Sequence, residues 1–99
     1  MVVEAFAFDT SKLVEICRAN DAAMVAVFGS MARGDASPDS DLDLLIRFKR
    51  RKSLLALVRL ERELSEALGR KVDLLTEASI SPYIRQRVLS ELTVLYEAP

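Results

Sequence analysis

Three short apolar runs organise this chain, and each one carries or borders a residue suited to polar chemistry. Ala23 to Phe28, rich in valine and bounded by Asp21 and Gly29, reads as a buried strand that opens directly onto Gly29-Ser30. Ten residues later Asp41-Leu42-Asp43 enters a second strand, Asp41 to Phe48, and Lys71 to Thr76 forms a third with Asp73 inside it. Side chains alternate along a strand, so Asp41, Asp43, Leu45 and Arg47 share one face while Leu42, Leu44 and Ile46 share the other. Val72 and Leu74 likewise point away from Asp73. A sheet built from these strands brings the Gly-Ser turn and the carboxylates towards one end.

The intervening segments read as helices. Asp9-Thr10-Ser11 offers capping side chains before Leu13, Ile16 and Cys17, which recur at helical spacing to about Asn20. Gly29 to Ser40 is a turn and a loop broken by Gly34, Ser37 and Pro38. Ser53 to Leu68 is the longest helix, with Leu57, Leu60, Leu64, Ala67 and Leu68 as its apolar stripe and Gly69 as its stop. Leu54, Leu55 and Val58 widen that stripe, which fits either a well-buried helix or a contact face. Glu61 lies within the stripe, where a structural ion pair with an arginine is expected ahead of a supporting catalytic role. Ser81-Pro82 opens a further helix through Ile84, Val88 and Leu89, and Thr93 to Glu97 adds a short final strand. The order predicts an α/β fold, a small mixed sheet with helices packed on one side.

Composition narrows the chemistry. The 99 residues are expected to form one domain spanning positions 1–99. No run is long enough to span a bilayer, and the N-terminus lacks a basic start, so no signal peptide is expected and the cytoplasm is the expected location. With one cysteine no intrachain disulfide can form, and Cys17 reads as a small buried hydrophobe. There is no histidine, so catalysis would run on carboxylates and bound metal. A net charge of −1 provides no global attraction for nucleic acid, which is not expected as a direct partner. The basic run Arg47, Lys49, Arg50, Arg51 and Lys52 reads as a solvated loop, with steering of phosphates as the functional alternative.

A Gly-Ser turn offers backbone N–H groups and a hydroxyl to phosphate oxygens. Magnesium prefers oxygen ligands and keeps water and substrate phosphate for the rest of its shell. Buried carboxylates are costly unless paired or bound to cations, which makes Asp73 an awkward residue for a strand without a metal. Together these residues fit the holding of a nucleoside triphosphate and divalent metal while a nucleotidyl group is moved.

The stretch Gly29-Ser30-Met31-Ala32-Arg33-Gly34-Asp35 through Ser40-Asp41-Leu42-Asp43-Leu44 resembles the signature of the minimal nucleotidyltransferase (MNT) family, in the polymerase-β superfamily. Gly69 to Thr76 resembles the family's third-carboxylate strand, and Ser81 to Glu97 is similar to its usual ending, so the likeness runs from Ala23 onward. The basic run from Lys49 to Lys52 varies from the pattern. The resemblance implies the polymerase-β-type nucleotidyltransferase fold. It implies that Gly29 and Ser30 hold the β- and γ-phosphates, that Arg33 meets triphosphate oxygens, and that Asp41, Asp43 and Asp73 are both catalytic residues and ligands of two Mg²⁺ ions. ATP would be the substrate.

In this family the MNT protein is frequently the antitoxin of a HEPN-domain ribonuclease toxin. The resemblance then implies transfer of AMP from ATP to a tyrosine hydroxyl of that toxin, with the acceptor delivered by another chain. Two alternatives stay open: a non-catalytic antitoxin acting by occlusion, and an enzyme modifying a small molecule such as an aminoglycoside. A homodimer or a hetero-oligomer is compatible with the sequence.

Overall fold

The structure, a computed structural model, describes residues 9–28 and 41–98. Among them the elements run α1 (Thr10–Ala19), β1 (Ala22–Phe28), β2 (Leu42–Phe48), α2 (Leu54–Leu68), β3 (Val72–Thr76), α3 (Pro82–Ser90) and β4 (Thr93–Glu97), with a 3-10 turn at Glu77–Ser79 before α3. The anticipated Gly29–Ser40 turn lies outside the described residues.

Local chemistry sets most of these boundaries. Asp9 caps α1, its Oδ1 accepting from the Lys12 N–H at 3.0 Å, and Ser53 caps α2 by accepting from the Ala56 N–H at 3.1 Å. Gly69 ends α2 in the left-handed region at φ 69°, and Asp21 adopts the same region just after α1, where a short polar side chain tolerates it. Ser81 precedes Pro82 at the first turn of α3 and accepts from the Tyr83 N–H.

The strands form one mixed sheet in the order β3-β2-β1-β4. β1 pairs antiparallel with β2 and β4, whereas β2 and β3 run parallel, as α2 crossing between them requires. One sheet face, carrying Val25, Val27, Leu42, Leu44, Ile46 and Val72, packs against Leu13 and Cys17 of α1 and Leu60 and Leu64 of α2. Both helical pairs are four residues apart, one turn, so each helix offers a single ridge to the sheet. Burial pushes the Cys17 thiol up to about 12, helped by the charge of Glu63, which leaves it the inert apolar filler anticipated.

The expectation of helices on one side holds for α1 and α2 but not for α3. Val88 of α3 joins Ile80 in a second, smaller cluster with Met24, Ala26 and Leu45, on the opposite face. Ile84 and Leu89 remain exposed, so α3 is anchored mainly through Val88 rather than along a full stripe. The N-terminal turns of α2 are also less buried than a wide stripe suggests, with Leu54 77% and Leu55 60% exposed. That excludes the well-buried reading and leaves a free apolar patch.

The basic run is tied down at its ends. Lys52 Nζ lies 2.7 Å and Arg50 Nε 3.7 Å from Asp21 Oδ2, and the Lys49 N–H donates to the Asp21 carbonyl at 2.8 Å. These cations hold the Asp21 carboxyl below its usual range, the Lys52 hydrogen bond contributing most. Arg47 pairs with Glu97 at 3.2 Å, across to the far edge of the sheet. From Lys49 to Lys52 the run follows the C-terminal end of β2, more than about 16 Å of strand beyond Asp43, so these residues do not flank the carboxylates.

A Cβ at Gly69 would meet nothing within 4 Å, so only backbone conformation opposes substitution there. Gly69→Ala should therefore cost about 1–2 kcal/mol, and Gly69→Asn distinctly less, measured by denaturant unfolding. Equal losses for both would show that the αL backbone is not the cause.

Candidate functional site

Parallel pairing sets Asp43 directly against Asp73, in register between Leu42↔Val72 and Leu44↔Leu74. Adjacent strands lie about 4.8 Å apart and equivalent residues project to the same side, so the two carboxyl groups are neighbours. They project on the face away from α1 and α2, because Leu42, Leu44 and Val72 on alternate positions fill the main core. On its other flank Asp43 is paired with Phe28, the last residue of β1. Gly29 is bonded to Phe28, so the chain leaves β1 beside the carboxylates.

Asp41 lies just ahead of β2, on the same side as Asp43 and closer to solvent, with its side chain 47% exposed and Lys71 Nζ 4.0 Å away. Asp41 thus sits at the exposed rim, at the outer limit of an ion pair with Lys71. Among the described residues no three acidic, histidine or cysteine side chains close into a compact metal cage. The structure thus brings Asp43 and Asp73 together and leaves Asp41 at their mouth. Gly29, Ser30 and Arg33 lie outside the described residues.

The electrostatics follow from this geometry. Partial burial raises the Asp43 carboxyl above its ordinary value, and the charges of Asp73 and Asp41 raise it further, as does a hydrogen bond shared with Asp73. A cluster of this kind holds negative charge at an energetic cost. Cations relieve that cost, and hard divalent ions bind oxygen donors arranged in this way. Asp43 and Asp73 offer oxygen donors of the kind magnesium takes, with Asp41 as a further carboxylate at the rim.

Two contacts near the site lie beyond sequence reasoning. The Glu61 carboxylate, expected in an ion pair, instead accepts from the backbone N–H of Leu74 at 2.9 Å, and Ser65 Oγ accepts from the N–H of Val72 at 3.0 Å. Both bonds reach the strand that carries Asp73. The only sequence signal was a glutamate inside an apolar stripe, which says that something polar is met but not what.

Across residues 10–95 the chain matches the family described as the nucleotidyltransferase domain. A Methanocaldococcus jannaschii protein, provisionally named a protein adenylyltransferase, is 44% identical over 80 residues, which are 81% of this chain and 86% of that one. A solved toxin-antitoxin structure with AMP-PNP superposes with a TM-score of 0.81 at 25% identity, over 91% of this chain and 74% of its counterpart. The MNT antitoxin in complex with a tri-AMPylated HEPN toxin of Shewanella oneidensis shares the fold, with a TM-score of 0.72 at 23% identity, over 90% of this chain and 70% of that chain.

Burial and repulsion at Asp43 have a measurable consequence. The folded state binds a proton at Asp43 more tightly than the unfolded chain does. Stability from this group therefore falls as pH rises from the ordinary carboxylate value through the raised one. Asp43→Asn removes that fall. At pH 7, without divalent ions, the variant should be more stable than wild type by a few tenths of a kcal/mol to about 1, solvent screening limiting the gain. The difference should vanish below the ordinary carboxylate range. Thermal unfolding across pH measures it, and a destabilised variant at pH 7 would contradict the repulsion.

Proposed function

The chain belongs to the nucleotidyltransferase domain family, and from that premise we propose that it transfers AMP from ATP to a tyrosine hydroxyl of a HEPN-domain toxin, acting as the antitoxin. The observation that carries this reading is the in-register placement of Asp43 against Asp73 beside the end of β1. An anionic pair costs the fold stability, and it is retained on the sheet face that the principal core leaves free. The relative named as a protein adenylyltransferase and the toxin-antitoxin complexes of the same fold support the acceptor class.

Asp41, Asp43 and Asp73 would hold Mg²⁺, which when bound neutralises phosphate charge and polarises the oxygens of an in-line displacement. The residues themselves have separable tasks. Gly29 would offer its backbone N–H and Ser30 its hydroxyl to the β- and γ-phosphates, and Arg33 would add a fixed cation to the triphosphate. Asp73 would face the acceptor hydroxyl and take its hydrogen as the oxygen attacks the α-phosphorus. A new O–P bond forms, the bond from the α-phosphorus to the bridging oxygen breaks, and pyrophosphate leaves. Positioning and electrostatics supply most of the rate in such transfers. The exposed Leu54, Leu55 and Val58 provide apolar surface for a partner chain, and a cytoplasmic location suits this substrate. No helix among the described residues is long and apolar enough to cross a membrane.

The test is to incubate the chain with α-labelled ATP, Mg²⁺ and a cognate HEPN protein. Label should reach a toxin tyrosine, EDTA should abolish transfer, and Asp41→Asn plus Asp43→Asn should reduce it by about 10²–10³-fold or more. Neutralisation of the toxin undiminished in that double variant would replace catalysis by occlusion. Label on an antibiotic would point to a small-molecule acceptor.

A further inference from the structure

Among the described residues the strand carrying Asp73 is the outermost of the sheet, only five residues long, with a strand neighbour on one side. Such a strand has the ladder of only one neighbour to hold it along its length. A slip of one residue would turn Asp73 into the core and bring an apolar neighbour opposite Asp43. The carboxylate pair therefore depends on whatever fixes β3 along its length.

Two side chains of α2 do this from the outer edge. The Leu74 N–H donates to Glu61 Oε2 at 2.9 Å and the Val72 N–H to Ser65 Oγ at 3.0 Å, so the amides on both sides of Asp73 are held. Ser65 is itself fixed, its hydroxyl donating to the Glu61 carbonyl at 2.8 Å. The spacings match: four helical residues rise about 6 Å, and two strand residues advance about 6.6 Å. A one-residue slip would break both bonds at once. Glu61 also stands where the stripe of Leu57, Leu60 and Leu64 would accept an apolar side chain, so packing alone does not account for a carboxylate there.

We propose that Glu61 and Ser65 are positioning residues of the nucleotidyl-transfer site, a two-point clamp on the outer edge of β3 that holds Asp73 level with Asp43. This rests on the nucleotidyltransferase reading given above for its effect on turnover. What Glu61 contributes is an acceptor oxygen, not its charge. Glu61→Gln retains a carbonyl oxygen for the Leu74 N–H, whereas Glu61→Leu keeps the volume and loses the acceptor.

The experiment compares these variants at a temperature where each is folded, reading transfer kinetics, Mn²⁺ affinity by electron paramagnetic resonance, and hydrogen exchange of the Leu74 and Val72 amides. Glu61→Leu should lower kcat and weaken Mn²⁺ binding about 10-fold, the usual scale for groups that orient metal ligands, with KM for ATP changed less than about 2-fold. Leu74 should lose exchange protection, and Glu61→Gln should restore all three readouts to within about 3-fold of wild type. If Glu61→Leu does not fold, Ser65→Ala, which deletes one atom, should give a smaller loss of the same kind with Val72 deprotected. Wild-type kcat and Mn²⁺ affinity in a variant whose amide has lost protection would overturn the clamp. So would equal losses in Glu61→Gln and Glu61→Leu. A wild-type chain that transfers no nucleotide would defeat the proposed function instead, while the Mn²⁺ and exchange comparisons would still decide the clamp.

Discussion

The parallel pairing of β2 with β3 is the constraint on which the rest of this molecule turns. It places Leu42 and Val72, then Leu44 and Leu74, on the side that α1 and α2 cover, and with the same stroke places Asp43 against Asp73 on the other. Core and charge are thus two faces of one register. The apolar face gains from being buried, on the order of 1.5–3 kcal/mol for each large side chain. The acidic face loses through the partial burial of Asp43 and its repulsion from Asp73 and Asp41, which together lift that carboxyl above its ordinary range. Several buried leucines and valines outweigh one strained carboxylate pair, so the sheet can carry groups that its own stability would not select. A parallel neighbour also needs a crossover, and that requirement brings α2 alongside β3, where its polar side chains reach the outer edge.

Elements governed by nearest neighbours were legible in the chain itself. Ser53 and Gly69 delimit α2 because capping and left-handed termination depend on a few local atoms. The first three strands in the chain were readable because valine and leucine runs between turn residues have few other solutions, and β4 fell at Thr93–Glu97 as read. The placement of α3 was not legible. Its sequence offers Ile84, Val88 and Leu89, but only Val88 meets the small cluster of Met24, Ala26 and Leu45, and no helical period tells which sheet face will have room. Glu61 shows the same limit more sharply. An ion pair was the natural expectation, yet the partner is a backbone N–H thirteen residues on, chosen by how a helix lies along a strand. For the site, the adjacency of Asp43 and Asp73 required knowing that β2 and β3 are parallel and in register, which alternation alone does not specify.

The basic run illustrates how a charge cluster can be absorbed by the fold. Asp21 occupies a left-handed turn at the end of α1, and its carboxylate gathers Lys52 and Arg50 while its carbonyl receives the Lys49 N–H. This ties the start of β1 to the loop after β2, the end of the hairpin-like pair remote from Asp43. Lys52 also lies near the Phe48 ring, 6.0 Å from its centre, adding a weak contact of the same sense. Steering of phosphates towards the carboxylates from this position would have to act over about 16 Å of strand, beyond the Debye length at physiological salt. The anchoring role needs no such reach.

Distance between the two ends of the sheet separates the tasks of this fold. The carboxylate pair sits where β1 ends and β2 begins; charge that holds the backbone together sits where β1 begins and β2 ends. The exposed Leu54, Leu55 and Val58 lie on the first turns of α2, immediately after the anchored loop. A partner engaging that surface would press on a helix whose later turns carry Glu61 and Ser65, and through them the backbone on either side of Asp73. Helix, edge strand and carboxylate pair are joined in turn by two hydrogen bonds and by register. Rigidity along that series matters because phosphoryl-type transfer is sensitive to sub-ångström placement of charge. A short edge strand would be a poor foundation for such a site by itself. Bonded on one side to β2 and at two amides on the other to α2, it is better held than an open edge.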